Sequence, residues 1–346
     1  MTKSVQAVIV AAGLVASAAW CAAEETKPMR ENQRIILGHP VRPGAYPFQT
    51  LIRLRWRDGS TGFCGGSLIG DATWVLTAAH CIFEGRGGPL MVPDQFTVFV
   101  GSERYGQGNG ILVDAVYGHA NYRQSDQDND IALLHLRRLP WSAKYGTISL
   151  LDPDRESDLA KIDTPVTVIG WGKTESADLS RQLLETQTQL FDRGQCNQNY
   201  LDYFQRGFEG YLAALPNAGR KTETEDSFFV SLKIAEADRA RIRNLIEKRA
   251  ATQEIMNSVK KSSGTLITDN MICAVGTPLR FGDPLVPDSC QGDSGGPLFM
   301  KAPDGKPVLV GIVSFGAGCG SATEPGIYTR VSKYVDWVKR VAGDLQ

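Results

Sequence analysis

The segment Asp288-Ser289-Cys290-Gln291-Gly292-Asp293-Ser294-Gly295-Gly296-Pro297 sets a serine among glycines. Glycines on both flanks allow a tight, strained turn that exposes the hydroxyl, and they let backbone N–H groups converge on one point, as stabilisation of an oxyanion requires. A serine hydroxyl is a weak nucleophile and needs a base. The chain holds four histidines, His39, His80, His119 and His135. His80, in Leu76-Thr77-Ala78-Ala79-His80-Cys81, ends an apolar strand beside a cysteine whose bridge would fix its backbone. The other three lack such a setting and read as surface or packing residues. An acid must then orient the imidazole and stabilise its charged form. Asp130 opens the apolar run Ile131-Ala132-Leu133-Leu134, where a strand enters the core. Asp126 and Asp128 precede it in a polar loop and read as solvated. Together these residues would let an activated hydroxyl attack a carbonyl carbon.

Such a set needs a rigid frame, and the composition allows one. The chain has 346 residues, 42% of them hydrophobic, enough for one large domain or two medium ones. A formal net charge of -1 gives no footing for a nucleic-acid or anionic-membrane partner. From about Thr50 to Leu150, short β-rich runs alternate with turn signals: Leu51-Ile52-Arg53-Leu54, Trp74-Val75-Leu76-Thr77, Phe96 to Val100 and Ile131 to Leu136. The texture returns at Pro165 to Gly170, Val308 to Phe315 and Gly326 to Val331, and it predicts a β-barrel or sandwich. Two stretches break it. Leu201 to about Ser263 is charge-rich and helical; Ile242, Leu245, Ile246, Met256 and Val259 share one face, and Arg243 and Glu247 stand one turn apart. Tyr334, Trp337, Val338 and Val341 predict a short C-terminal helix docked on the body.

The N-terminus differs again. Lys3 precedes an apolar run from Val5 to Trp20, followed by small residues, which predicts a secretory signal peptide over 1–23 and export, extracellular or periplasmic. A polar stretch, 24–34, separates it from an abrupt Ile35-Ile36-Leu37-Gly38. Seven cysteines are an odd number for an exported chain. Cleavage after Ala23 removes Cys21 and leaves an even set; lipidation of Cys21 is the alternative, disfavoured by the bulky Trp20 before it. The pairing of Cys64, Cys81, Cys196, Cys273, Cys290 and Cys319 is not fixed by sequence alone, but bridges imply an oxidising compartment.

Three segments, Thr77-Ala78-Ala79-His80-Cys81, Asn129-Asp130-Ile131-Ala132-Leu133-Leu134 and Gly292-Asp293-Ser294-Gly295-Gly296-Pro297, resemble the catalytic motifs of the chymotrypsin/trypsin family, in that family's order. Gly170-Trp171-Gly172, Ser314-Phe315-Gly316 and Pro325-Gly326-Ile327-Tyr328-Thr329-Arg330-Val331 extend the likeness from Ile35 to the C-terminus, the helical stretch excepted. The resemblance implies an all-β fold of two antiparallel six-stranded barrels with a C-terminal helix, and a helical insertion, about 201–263, in the second barrel. Residues 35–346 then form a peptidase domain behind a 24–34 propeptide.

The same resemblance assigns roles: His80 as base and then acid, Asp130 as its orienting partner, Ser294 as nucleophile, and the N–H groups of Gly292 and Ser294 as the oxyanion hole. It implies the pairs Cys64–Cys81, Cys196–Cys273 and Cys290–Cys319. Asp288 falls at the floor of the primary pocket, with Ser289, Ser314, Gly316 and Gly326 around it. A carboxylate there suits Arg or Lys, whose burial without a partner would be costly. Arg34-Ile35 matches the activation cleavage site. The freed Ile35 ammonium should pair with Asp293, so activity should fall at alkaline pH as that amine deprotonates and at acid pH as His80 gains a proton. Leu37 departs from the family leader, which has glycine there.

The expected function is therefore a secreted serine endopeptidase, made as a zymogen, cutting after Arg or Lys. Its partners would be protein or peptide substrates and a protein inhibitor, and it would act as a monomer. No cofactor and no metal are expected; Glu103 to Gly110 offers one carboxylate where a hard cation wants several oxygens. The alternative is a catalytically silent binding protein that uses the insertion as its binding face. Within the peptidase reading the insertion is taken as a tolerated surface elaboration, since long loops cost little extra entropy, with restriction of substrate entry or recruitment of a partner as the other reading.

Overall fold

A computed structural model describes residues 35–85, 88–138, 144–174, 179–218, 222–280 and 282–343. The expected signal peptide, propeptide, Cys21 and Arg34 lie outside the described residues.

Twelve strands build two closed antiparallel barrels. The first holds β1 (Gln49–Arg55), β2 (Thr61–Ile69), β3 (Trp74–Thr77), β4 (Phe96–Val100), β5 (Asn109–Gly118) and β6 (Ala132–Leu136). They run round the ring as β1-β2-β3-β6-β5-β4, and β4 closes on β1. Strand side chains alternate between faces, and β4 shows it: Phe96, Val98 and Val100 are buried while Thr97 and Phe99 between them are half-buried. Leu68, Val75 and Leu134, opposite one another on neighbouring strands, are buried with Ile52 in the same cluster.

The second barrel holds β7 (Pro165–Gly170), β8 (Leu184–Phe191), β9 (Met271–Val275), β10 (Pro297–Lys301), β11 (Pro307–Phe315) and β12 (Gly326–Arg330). Its ring order is β7-β8-β9-β12-β11-β10, closed by β10 on β7. Ile35 is fully buried here, packed with Val166, Val168, Leu184 and Leu190. The expected bridges Cys64–Cys81, Cys196–Cys273 and Cys290–Cys319 are formed.

The insertion joins β8 to β9, adjacent strands of this barrel, and the Cys196–Cys273 bridge across its base spans 77 positions. It comprises α1 (Arg193–Ala218), α2 (Thr222–Ser231), α3 (Glu236–Glu247) and α4 (Thr252–Ser262). Two details differ from the sequence expectation. The helical stretch starts at Arg193, not Leu201, because Asp192 caps it, accepting from the Gln195 N–H at 2.7 Å. The run through Ile242 to Val259 is two helices. Arg249 takes the left-handed conformation, φ +52°, while Arg249 N–H and Ala250 N–H close on Ile246 and Leu245 carbonyls, a Schellman end without glycine. Arg243 pairs with Asp226 and Glu236. The insertion has a core of its own, in which Phe208, Phe229, Ile242, Ile255, Met256 and Val259 are buried together.

A short helix, α5 (Val335–Ala342), follows Tyr334; Tyr334 and Val338 are buried and Trp337 and Val341 pack partly buried against the core, as the spacing predicts, and Val335 is buried besides. Among the described residues no helix is long and apolar enough to cross a membrane.

Candidate active site

His80 sits in a helical turn, Ala79–Ile82, that follows β3 directly and is held by the Cys64–Cys81 bridge. Asp130, fully buried, faces it from the loop that enters β6. One carboxylate oxygen accepts the His80 backbone N–H at 2.8 Å, and the other meets His80 Nδ1 at 2.8 Å. Two further donors complete the acid: Ser314 Oγ reaches Oδ2 at 2.5 Å, and Thr329 Oγ1 donates to the Asp130 carbonyl at 2.6 Å. With Nδ1–H committed to Asp130, the lone pair of the neutral ring stays on Nε2. Burial pushes the His80 pKa down, but the charge of Asp130 and its hydrogen bond outweigh burial and leave it above 6.5.

Ser294 tops a turn tied down on every side. Asp293 N–H donates to the Cys290 carbonyl, Gly296 N–H to Asp293, and Gly295 N–H to Val313 in β11. Gly65 of β2 donates to the Ser294 carbonyl at 2.8 Å, so the turn is fastened to the first barrel as well. The flanking glycines are required. Gly292 has φ +102° and Gly295 φ +78°, and a Cβ at Gly295 would stand 2.2 Å from Thr77 Oγ1. That close approach brings the turn against the end of β3, within reach of Ala78 and the His80 turn. Neither Gly292 N–H nor Ser294 N–H has an acceptor among the backbone hydrogen bonds of the described residues. No hydrogen bond joins Ser294 Oγ to the His80 ring among the described residues, a common resting geometry that tightens when substrate arrives.

Asp288 is 4% exposed. Its Oδ2 accepts Gly320 N–H at 2.9 Å, while Oδ1 is buried with no hydrogen-bond partner. Burial pushes its carboxyl up to about 7. Ser289 Oγ lies 3.1 Å from Tyr328 Oη, and a Cβ on Gly326 would stand 3.0 Å from Asp288 Oδ1. Asp293 is also buried, its carboxylate accepting Gly172 N–H at 2.8 Å and Cys290 N–H at 2.9 Å, and burial pushes it up to about 6. Ile36, next to Ile35, bridges Asp288. Leu37, where the sequence departs from its family leader, has φ +56°, a conformation that glycine adopts freely and leucine does not.

Several contacts were not visible in sequence. Ser314, grouped there with the pocket, gives its hydroxyl to Asp130, and Thr329 does the same for the backbone. Asp128 is not solvated: it is 6% exposed and accepts Thr268 Oγ1 at 2.8 Å, Asn270 Nδ2 at 3.0 Å and Arg123 Nη2 at 2.9 Å. Tyr200, from α1, donates to the Pro325 carbonyl and accepts Ala317 N–H, touching the pocket wall from behind. Donors this far away in sequence leave no local pattern. His119 packs on Tyr334 and Trp337, and His135 against Trp74 and Asp114, structural settings as expected.

The family model described as Trypsin matches residues 35–225 and 238–338. Trypsin Blo t 3 of Blomia tropicalis is 30% identical over 309 residues, 88% of this chain and 85% of that protein. Trypsin 5G1 of Aedes aegypti is 28% identical over 323 residues, 91% of this chain and 87% of that protein. Tissue-type plasminogen activator of Homo sapiens is 31% identical over 303 residues, 85% of this chain but 42% of that protein. Paired barrels, a histidine locked to a buried aspartate and a glycine-flanked serine turn thus accompany a match over most of the sequence: the chain belongs to the trypsin family and is a serine endopeptidase.

Proposed function

We propose that this endopeptidase is exported, is made as a zymogen cleaved at Arg34-Ile35, and cuts after Arg or Lys with Ser294, His80 and Asp130. The observation that carries the specificity is Asp288 Oδ1, a buried carboxylate oxygen without a hydrogen-bond partner, close to which Gly326 leaves room that a side chain would take: a Cβ there would stand 3.0 Å away. An unpaired buried oxygen is costly, and a guanidinium or ammonium from substrate would supply both donor and charge.

In the acylation step Ser294 Oγ attacks the carbonyl carbon and its proton passes to His80 Nε2. The N–H groups of Gly292 and Ser294 hold the oxyanion; loss of one such donor typically lowers the rate about a hundred- to thousand-fold. The C–N bond then breaks as His80 returns the proton to the leaving amine. Water, deprotonated by His80, attacks the Ser294 ester, the acid departs, and the proton returns to Oγ. Asp130 keeps its charge throughout and stabilises the imidazolium. Before activation Ile35 N is an amide; cleavage makes it an ammonium that pairs with Asp293 and keeps the Ser294 turn in place.

The test is a scan of peptide substrates by the Arg34-cleaved protein, beside Ser294→Ala. Cleavage confined to Arg and Lys, abolished in the variant, is the expected result. Cleavage after aromatic or small residues would overturn the specificity, and failure of the cleaved protein to react with a fluorophosphonate would overturn the catalytic assignment.

A further inference from the structure

The loop that delivers Asp130 is not a relaxed one. Gln127 and Asn129 both take the left-handed conformation, φ +53° and φ +59°, on either side of Asp128. Side chains other than glycine keep that conformation where their surroundings fix it. Asp130 follows directly, so whatever holds residues 126–129 also sets the direction from which the carboxylate meets His80. Most of the holding groups come from the polypeptide between Cys196 and Cys273. Thr268 and Asn270, on the return from α4 to β9, donate to Asp128 at 2.8 Å and 3.0 Å. Lys233 reaches Asp126. It stands just past α2 in the left-handed conformation, φ +50°, with Lys233 N–H on Val230 and Ile234 N–H on Phe229, another Schellman end. Its ammonium lies 3.4 Å from Asp126 Oδ2 and donates to the Leu266 carbonyl at 3.1 Å, so one cation touches both the return segment and the loop. Arg123 joins the two carboxylates, 2.8 Å from Asp126 and 2.9 Å from Asp128, and Asp128 N–H donates to Asp126 at 3.3 Å. From the far side, Tyr334 donates to Asn129 at 3.1 Å.

We propose that Lys233 is a positioning residue for the reaction: through Asp126, and Asp128 beside it, the helical insertion braces the loop and fixes how Asp130 reaches His80. The inference rests on the assignment of Asp130 as the acid that orients His80. The Lys233 and Asp126 side chains are 20% and 14% exposed, so water screens little of their attraction and the contact holds better than a surface ion pair. A histidine that moves protons must sit within a fraction of an ångström of its working place, so a loop that drifts slows the chemistry before it weakens binding. The insertion is then part of the frame that supports catalysis, and the barrels alone do not complete that frame.

The test uses the Arg34-cleaved full chain, an arginine peptide substrate and amide hydrogen exchange. Lys233→Met should lower kcat about tenfold and leave KM within about twofold. Exchange at the His80 and Ile131 amides, whose protons are held by Asp130 and Asn129, should quicken, while amides inside β1 and β7 keep their rates. Lys233→Arg should retain most of kcat. Asp126→Asn should lower kcat at least as far as Lys233→Met, and combining the two should cost little more. Lys248→Met, exposed just past α3, should change neither kcat nor exchange. Unchanged kcat and exchange in Lys233→Met would overturn the brace. So would a raised KM with kcat intact, the mark of a substrate contact, or exchange quickened throughout both barrels, the mark of lost stability. Asp130→Asn, measured beside it, tells the two levels apart. If kcat survives in Asp130→Asn, the acid assignment fails and the brace with it; if kcat collapses there and holds in Lys233→Met, the brace alone fails.

Discussion

Two buried aspartates mark two regions of this molecule, and they are furnished in opposite ways. Around Asp130, every donor is in place: His80 offers a backbone and a ring N–H, Ser314 a hydroxyl, and Thr329 holds the backbone. Around Asp288, Oδ2 has Gly320 N–H, Ser289 adjoins the carboxylate and eases its charge, and Oδ1 is buried without a well-formed hydrogen bond. The first arrangement fixes a neighbour's orientation and needs no further ligand. The second is an incomplete site, which on the proposed specificity an incoming cation would complete. Satisfied burial is a positioning device; unsatisfied burial is a recognition device, kept at the expense of stability.

The sharpest way to break this contrast is to neutralise the satisfied acid. Asp130→Asn keeps the shape but lets the wrong nitrogen of His80 carry the proton, so kcat should fall about ten-thousand-fold with KM little changed in steady-state assays. Neutralising the other acid should act on recognition. In Asp288→Asn, kcat/KM for Arg substrates should fall by roughly a hundred- to several-thousand-fold, because breaking a buried charge pair costs about 3–5 kcal/mol. Stability should move the other way. With its carboxyl pushed up to about 7, the folded chain keeps a proton that the unfolded chain releases from about pH 4 upward, so the substrate-free enzyme loses stability as pH rises across that window. Asp293, pushed up to about 6, acts in the same sense in both proteins. Asp288→Asn should therefore melt higher than the parent at pH 8 and match it near pH 4, by calorimetry. Equal melting points at pH 8 would refute an orphaned charge.

A finer test concerns the donors around Asp130. The His80 pKa lies above 6.5, so kcat/KM should decline as pH falls through a value above that figure. Removing the Ser314 hydroxyl leaves His80 as the main donor to the Asp130 Oδ2, which strengthens the pull on the imidazolium. Ser314→Ala should shift the acid limb to higher pH and lower kcat about tenfold, the scale of one hydrogen bond to a charge. An unchanged pH profile would make Ser314 a packing residue. The smallest effect should come from Leu37→Gly, which relieves a left-handed leucine and should raise stability by about 1 kcal/mol without altering the profile.

What the sequence made legible was local. Ser294 stands out because its glycines are adjacent; His80 and Asp130 stand out because each adjoins a short apolar strand. Short strands and glycine-rich turns leave barrel or sandwich open; the two-barrel fold is legible through the family resemblance of the motifs. What stayed hidden was assembled from afar. Asp128 looks like a loop carboxylate until Thr268 and Asn270 fold over it. Ser314 carries no local mark of the bond its hydroxyl makes to Asp130. The break between α3 and α4 escaped notice because Arg249 does the work usually given to glycine.

The Cys196–Cys273 bridge has one more consequence. It closes the whole insertion at its root, where Phe191 and Cys273 are paired neighbours on β8 and β9. The helices between carry many arginines and lysines, the residues after which this enzyme is proposed to cut. A nick anywhere between the two cysteines would leave both halves joined by sulfur, so damage of this kind would show on a gel only after reduction, and the molecule could lose backbone continuity there without losing mass.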